Sequence, residues 1–291
     1  MIDLHIHTEC SRDGDRSPSF IIDECLKKNI TTVAMTDHNS VDAVGQAIEL
    51  GDDIGVEVIP GIEIDTTYRG SIFHILGYFI DHTSPDFPDL YRSAIQAESD
   101  AFPKIVEKLN NLGIAISWEA VLEKAGAGVP TEAMIAGLVV SNPANHENNL
   151  IKPFLEGGGR SAMPEFNFYY DFLAPGKPAA VLSDYIRLED AVKLIEKNGG
   201  LPILAHPGSN LAIEDELLPG ILSSGIRGLE AFSSYHDEKT NFYFAELAGE
   251  NDLLITCGSD FHGTFKPAIT LGGHGCTLEQ DELLRKLKAE L

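Results

Sequence analysis

Strand-like apolar runs and amphipathic helical segments alternate in the first and last thirds of this 291-residue chain. The runs at residues 31–36 and 56–64 are rich in β-branched residues, as buried parallel strands are. Such alternation predicts βαβ units, and about seven of them can close into an α/β barrel. The remaining strands are expected at residues 3–7, 72–80, 201–205, 228–232, 253–257 and 268–271. All of them are expected to be parallel.

The alternation pauses between residues 82 and 180. This stretch contains helical segments at 87–112, 118–125 and 131–141, then a triple glycine and the aromatic run FNFYYDF at 166–172. We therefore expect a barrel formed by residues 1–81 and 181–291, with an inserted, mostly helical cap subdomain at 82–180. The aromatic run is expected to form the cap's own core, with stacking on a nucleobase as the alternative.

Charge and cysteine usage exclude several classes of protein. The chain has 45 Asp and Glu and 21 Lys and Arg, which gives a net charge of −24. A negative charge is the wrong sign for binding long nucleic acid through its phosphates. No apolar run is long enough to span a bilayer, so we expect a cytoplasmic protein without a membrane partner. The four cysteines form no C-x-x-C pair, which argues against a zinc knuckle and a disulfide framework. They are Cys10, Cys25, Cys257 and Cys276.

Ligand-type side chains lie within the predicted strands or directly after them. His5 and His7 are two apart in an alternating segment, so both imidazoles project from one face. Barrels of this kind place their chemistry at the carboxyl ends of the strands. The other members of this set are His38, Glu63, His74, His206, Asp260 and His262. Mixed imidazole and carboxylate ligands suit borderline divalent metals better than magnesium or calcium.

Six ordered motifs resemble those of the PHP (polymerase and histidinol phosphatase) family. They are DLHIHT at 3–8, TDHN at 36–39, PGIEI at 60–64, HILGYF at 74–79, AHPG at 205–208 and GSDFH at 258–262. The stretch GKPAAV at 176–181 resembles the branch of small stand-alone phosphoesterases that act on nucleotides. The resemblance implies a distorted (β/α)7 TIM-like barrel that holds two to three divalent ions of the manganese, iron or zinc type.

The resemblance also implies a division of the ligands among three metals. One metal would be held by His5, His7 and Asp260, a second by His74 and His206, with Glu63 bridging the two, and a third by Asp13, His38 and His262. Asp15 is the alternative to Asp13. Paired divalent ions lower the pKa of a bridging water, which gives a metal-bound hydroxide at neutral pH, and clamp the oxygens of an in-line displacement at phosphorus.

Residues for the substrate are less fully specified. His236 matches a histidine that this branch keeps near the phosphate, where it would bind an oxygen or protonate the leaving group, or it is a surface histidine. Asp37 either orients an imidazole or caps a helix. Residues 128–131 are Gly-Val-Pro-Thr where relatives have Gly-Arg-Pro-His, so a phosphate-binding arginine is missing. Arg160 and Lys177 are the candidate substitutes, or they are solvated surface charges.

The expected activity is metal-dependent hydrolysis of a phosphate monoester. The substrate would be a small phosphorylated metabolite, either AMP-like or a nucleoside bisphosphate, and phosphate would be a product. Two alternatives remain open. One is a 5'-3' exonuclease acting on short oligonucleotides, and the other is a non-catalytic, metal-binding regulatory module.

Overall fold

The computed structural model describes residues 1–126, 128–174 and 176–291. It divides the chain into two compact units. The first comprises Met1–Tyr91 and Ile186–Leu291, and the second is Arg92–Tyr185. The helices are α1 (Pro18–Lys27), α2 (Val44–Ile54), α3 (Asp86–Asn111), α4 (Trp118–Ala125), α5 (Glu132–Ser141), α6 (Pro164–Phe168), α7 (Leu188–Lys197), α8 (Leu218–Leu222), α9 (Glu238–Glu250) and α10 (Gln280–Lys288).

The first unit is built on one seven-stranded sheet whose strands follow one another in sequence order. These are β1 (Ile2–Ile6), β2 (Thr32–Met35), β3 (Glu57–Tyr68), β4 (Ser71–Tyr78), β5 (Leu201–Leu204), β6 (Gly228–Ser233) and β7 (Leu254–Gly258). The segment after β7 returns to β1, since the Asp260 amide donates to the His5 carbonyl at 2.8 Å. The sheet is therefore a nearly closed barrel, and the predicted seven-stranded α/β barrel is confirmed.

The expectation that all strands are parallel is wrong for β4, which pairs antiparallel with both β3 and β5. A two-residue turn, Arg69 and Gly70, joins β3 to β4 with φ of 48° and 83°. Positive φ at both central positions is the geometry of a tight hairpin. Arg-Gly is not one of the common signals for such a turn, so the sequence pattern did not reveal it. The hairpin sets Asp65 opposite His74.

Packing of α7 on the sheet shows how tightly the barrel wall is built. The helix buries an apolar stripe that includes Leu188, Val192 and Ile195. Gly77 of β4 lies beneath it, where an added Cβ would come within 2.9 Å of Ile195 Cγ1. Close packing of this kind fixes the position of β4, and with it His74.

The second unit has an apolar core of its own. Phe168 and Phe172 are buried in it and stack with their ring centroids 4.7 Å apart. Phe166 and Tyr170 belong to the same aromatic run but are exposed. The run therefore alternates between core and surface.

Two predicted elements differ from the structure. Residues 268–271 form no strand, because the backbone there bonds within local turns such as Ile269 N to Lys266 O at 3.0 Å. The helix expected at 213–223 is reduced to α8, preceded by Glu214 at a φ of 61°. None of the described helices is both long and apolar enough to cross a membrane.

Candidate metal centre

The paired histidines of β1 converge as their spacing predicts. His5 and His7 are buried, and their Nε2 atoms lie 3.1 Å apart. The other ligand-type residues reach the same region from different strands. Glu63 and His74 come from β3 and β4, His38 and His206 follow β2 and β5, and Asp260 and His262 follow β7.

His5, His7, Glu63 and Asp260 form a first group of ligand atoms. Oδ1 of Asp260 lies 2.9 Å from His7 Nε2 and 3.1 Å from His5 Nε2. Oε2 of Glu63 lies 3.1 Å from His7 Nε2 and 3.2 Å from His5 Nε2. Two imidazoles and two carboxylates thus direct one atom each toward a common point.

Glu63, His74 and His206 form a second group. Here the other carboxylate oxygen, Glu63 Oε1, lies 3.0 Å from His74 Nδ1 and 3.1 Å from His206 Nε2. Glu63 therefore contributes one oxygen to each group, which is the arrangement of a bridging carboxylate.

A third group combines His7, Asp13, His38 and His262. Oδ2 of Asp13 lies 3.0 Å from His262 Nε2 and 3.8 Å from His38 Nε2. Asp15, the alternative to Asp13, instead accepts a hydrogen bond from the Thr264 amide at 3.0 Å. The three ligand sets implied by the family resemblance are thus each brought together, and His7 links the first group to the third.

Asp65 is a carboxylate that the sequence analysis missed. Its Oδ1 lies 2.9 Å from His38 Nδ1 and 3.3 Å from His74 Nε2, while Asn39 donates to its Oδ2 at 2.7 Å. Asp65 is two residues after Glu63 on the same strand face. The alternation that singled out His5 and His7 could have identified it as well.

Several buried atoms of the centre fit bound cations. Glu63 Oε2, Asp260 Oδ1, His262 Nε2 and His38 Nδ1 have no hydrogen bond, although ligand atoms of neighbouring side chains surround them. Buried polar atoms in proteins are normally satisfied, so these lone pairs need a partner. Imidazole and carboxylate donors at such separations are the ligand set of borderline divalent metals. The residues present therefore fit the metal ions that the resemblance implies.

The pKa shifts of the buried histidines also indicate that the centre is suited to bound cations. Burial and repulsion by His262 lower the pKa of His7 to about 4. Burial also lowers the pKa of His5, but the carboxylates of Glu230, Glu63 and Asp260 outweigh it and raise that pKa well above its ordinary value. These carboxylates thus require positive charge, from protons or from metal ions.

Glu230 was not anticipated as a member of this region. It is fully buried on β6, its Oε1 is 3.0 Å from His5 Nδ1, and its Oε2 accepts the His206 amide at 2.7 Å. A carboxylate on the far nitrogen fixes the tautomer of a ligating histidine and leaves the other nitrogen's lone pair toward the metal. The sequence signal that could have identified Glu230 is a charged residue inside an otherwise uncharged, buried strand.

Two further residues contact Asp260 on its Oδ2 side. The Tyr235 hydroxyl donates to Oδ2 at 2.6 Å, and Lys266 Nζ donates to the same oxygen at 3.0 Å and to the Tyr235 hydroxyl at 2.6 Å. The Lys266 side chain is 29% exposed. The ammonium group of Lys266 therefore contacts Asp260 Oδ2, whereas the other oxygen of this carboxylate, Oδ1, faces the nitrogens of His5 and His7.

The residues assigned to catalysis have identifiable contacts. His236 donates from Nδ1 to the Ala231 carbonyl at 3.0 Å and accepts the Gly208 amide on Nε2 at 2.9 Å. A contact with phosphate would require one of these bonds to break. Asp37 accepts hydrogen bonds from the amide and hydroxyl of Thr8, at 2.6 and 2.8 Å, and so fixes the residue after His7. Burial raises the pKa of Asp37 to about 6.

The candidate phosphate-binding residues Arg160 and Lys177 lie in the second unit. The Arg160 guanidinium makes a two-point contact with Asp171, at 2.9 Å from Nε and 2.6 Å from Nη2. Lys177 is exposed. Their assignment to the phosphate stays a prediction.

Comparison with known proteins identifies relatives along most of the chain. The chain is 28% identical to the phosphoribosyl 1,2-cyclic phosphate 1,2-diphosphodiesterase of Eggerthella lenta, over 90% of this chain and 94% of the relative. It is 28% identical to the 5'-3' exoribonuclease Rnm of Salmonella typhimurium, over 93% and 87%. It is 25% identical to the 3',5'-nucleoside bisphosphate phosphatase of Chromobacterium violaceum, over 90% and 87%.

A solved structure shows the same fold. This Bifidobacterium adolescentis protein, assigned to the metal-dependent phosphoesterases, superposes with a TM-score of 0.75 over 99% of this chain and 95% of its own, at 23% identity. Residues 3–123 match the PHP domain model, and this segment contains seven of the ligand-type residues described above. The match to the PHP domain thus covers residues 3–123, and the relatives that align along most of the chain are named as a phosphodiesterase, an exoribonuclease and a phosphatase.

Proposed function

We propose that this protein is a metal-dependent phosphatase that removes phosphate from a small phosphorylated metabolite, with a nucleotide or nucleoside bisphosphate as the substrate class. The observation that carries the proposal is the sharing of Glu63 and His7 among three adjacent ligand groups. This arrangement suits a cluster of cations acting on one phosphate. The nucleoside bisphosphate phosphatase among the relatives supports the substrate class.

In this proposal the three groups hold two to three ions of manganese, iron or zinc. Bound divalent ions supply positive charge to the phosphoryl oxygens and lower the pKa of a coordinated water. The chain's own residues hold and orient these ions. Glu230 fixes the tautomer of His5, and Asp37 anchors Thr8 beside His7. Three divalent ions exceed the charge of the three carboxylates in these groups, Asp13, Glu63 and Asp260, so the loaded pocket attracts an anion despite the acidic chain.

Lys266 is proposed to replace the arginine that residues 128–131 lack. Its ammonium group is held by Asp260 Oδ2 and by the Tyr235 hydroxyl, and a partly exposed position leaves it open to a phosphate oxygen. A fixed cation beside the metals would orient the phosphate and stabilise charge that develops during transfer. Tyr235 would position Lys266 through its hydroxyl.

A second candidate is hydrolysis of short 5'-phosphorylated oligonucleotides, which the exoribonuclease relatives favour. The net charge of −24 opposes extended contacts with a nucleic-acid backbone but does not oppose a substrate of a few nucleotides. Both candidates use the same metal centre. They differ in the bond that is cleaved, which is a phosphate monoester for the first candidate and an internucleotide phosphodiester for the second.

The test is phosphate or nucleotide release by protein reconstituted separately with manganese, iron and zinc. The substrates are a 3',5'-nucleoside bisphosphate, a 5'-mononucleotide, a 5'-phosphorylated trinucleotide and a phosphoribosyl cyclic phosphate. We expect the highest kcat/KM for the bisphosphate and no turnover by Asp260→Asn. A clear preference for the trinucleotide would select the exonuclease, whereas no turnover by folded, metal-loaded protein would reject both.

A further inference from the structure

A second cluster of ligand atoms lies outside the histidine–carboxylate groups. Sγ of Cys257, Sγ of Cys276 and a ring nitrogen of His274 all lie within 4.8 Å of one another. Cys257 is on β7, while His274 and Cys276 precede α10. The absence of a C-x-x-C pair argued against a zinc knuckle, yet the fold gathers residues that are 17 and 19 positions apart in the chain.

The imidazole of His274 has a fixed orientation. This histidine is buried, and its Nε2 lies 2.9 Å from the carbonyl oxygen of Ile2, which can only accept a hydrogen bond. The proton is therefore on Nε2, and the lone pair is on Nδ1. A backbone carbonyl on the far nitrogen is the common environment of a histidine that ligates metal through its other nitrogen. The Cys276 amide contacts Nδ1 at 3.1 Å, and a cation there would replace this contact.

The two thiols differ in how readily they lose a proton. Cys257 is fully buried, and its hydrogen bond to Cys276, together with burial, raises its pKa well above the ordinary value. The same hydrogen bond lowers the pKa of the partly buried Cys276. Cys276 is therefore the thiol that ionises first, and a thiolate is the form that binds metal.

We propose that Cys257, His274 and Cys276 form a separate site for a thiophilic divalent cation, with zinc as the expected ion. Two thiolates and one imidazole are zinc ligands, and a water or small anion completes the tetrahedron. Binding releases the proton of each thiol to solvent. Soft sulfur donors also distinguish this site from the histidine–carboxylate centre, which prefers harder cations.

The site would anchor the segment between β7 and α10. Within this segment Gly272 N donates to Asp3 Oδ2 at 2.7 Å, and His274 contacts Ile2, so the chain already returns to β1 there. A bound cation would add a direct link from the segment to β7. Lys266 lies in the same segment, so its position beside Asp260 would become more rigid. The proposal for the cysteine site does not depend on the proposed phosphatase activity.

The test uses cobalt(II) as the probe, because thiolate–cobalt bonds give an intense near-ultraviolet charge-transfer band that histidine and carboxylate ligands do not give. Full-length protein, freed of metal and kept reduced, is titrated with cobalt(II). We expect one equivalent of this band in the wild-type protein and in Cys10→Ser, whose thiol belongs to none of the described ligand groups. The band should be absent in Cys276→Ser and in Cys276→Ala.

Two results would overturn the proposal. One is the absence of the band in folded wild-type protein with all four thiols free. The other is a mass lower by two hydrogens in freshly purified protein, with a peptide linking Cys257 to Cys276, because the pair would then be a disulfide. Circular dichroism of each variant verifies the fold, and the use of two different Cys276 substitutions separates loss of a ligand from misfolding.

Discussion

Replacing Lys266 by methionine tests whether this residue binds the phosphate. Methionine keeps an unbranched apolar chain of similar length but removes the ammonium group that lies 3.0 Å from Asp260 Oδ2. At about 4 Å and an effective dielectric constant of about 20, a pair of unit charges is worth about 4 kcal/mol. Asp260 already neutralises part of this charge. We therefore use the value for a charge-assisted hydrogen bond, about 1.5–3 kcal/mol.

That free energy corresponds to a loss of roughly 10- to 150-fold in kcat/KM, since about 1.4 kcal/mol is a factor of ten. The assay is phosphate release from the best substrate of the panel, with metal content measured on the same samples. Lys266→Arg should retain most activity because it retains the charge. Lys288→Met is the matched control, since Lys288 pairs with Glu57 on the surface at 2.6 Å and contacts no ligand group described above.

The metal measurement separates two explanations of a loss. If Lys266→Met binds as much metal as the wild-type protein, the activity is lost because the variant no longer contacts the substrate phosphate. If the variant loses metal, Lys266 acts through Asp260 instead. A kcat/KM within about twofold of wild type, with metal bound, would refute the proposed role, because the expected loss is at least about tenfold.

Three further predictions address the metal centre and the barrel wall. Glu230→Gln should weaken metal binding by roughly 10- to 100-fold, measured by calorimetry, because the His5 tautomer is no longer enforced; unchanged affinity would contradict this role. Carboxylates raise the pKa of His5 and of His74 in spite of burial, so when metal is absent both imidazoles keep their protons to a higher pH than an ordinary histidine does. Metal must displace these protons, so its apparent affinity should rise with pH, and the binding enthalpy should vary with buffer ionisation enthalpy; a buffer-independent enthalpy would oppose this. Gly77→Ala should destabilise the fold by about 1–3 kcal/mol in chemical denaturation, because its methyl group meets Ile195; wild-type stability would show that α7 yields easily.

Strand positions and most of the candidate ligands could be predicted because both depend on local pattern. The alternation at His5 and His7 places two imidazoles on one face whatever the rest of the chain does. Residues after parallel strands gather at one end of a barrel, which is where His38, His206 and Asp260 are found. The family resemblance added Asp13, which lies in a loop without a periodic pattern.

What the sequence pattern did not reveal depends on pairing across the chain. The reversal of β4 follows from the backbone at Arg69 and Gly70, and it decides that Asp65 faces His74. Glu230 and Lys266 reach the centre from a buried strand and from an irregular segment, respectively. Glu230 is marked only by its charge inside a buried strand, and Lys266 has no local signal, since what matters for both is the distance to residues far away in the sequence.

The two carboxylate oxygens of Glu63 belong to different ligand groups, and His7 belongs to two groups as well. Metal preference in one group therefore cannot be altered at these residues without altering its neighbour. A change of metal preference in a single group during evolution would have to occur at a ligand that belongs to that group alone, such as His206. Shared ligands thus make the centre evolve as a unit, while the substrate-facing residues around it remain free to diversify.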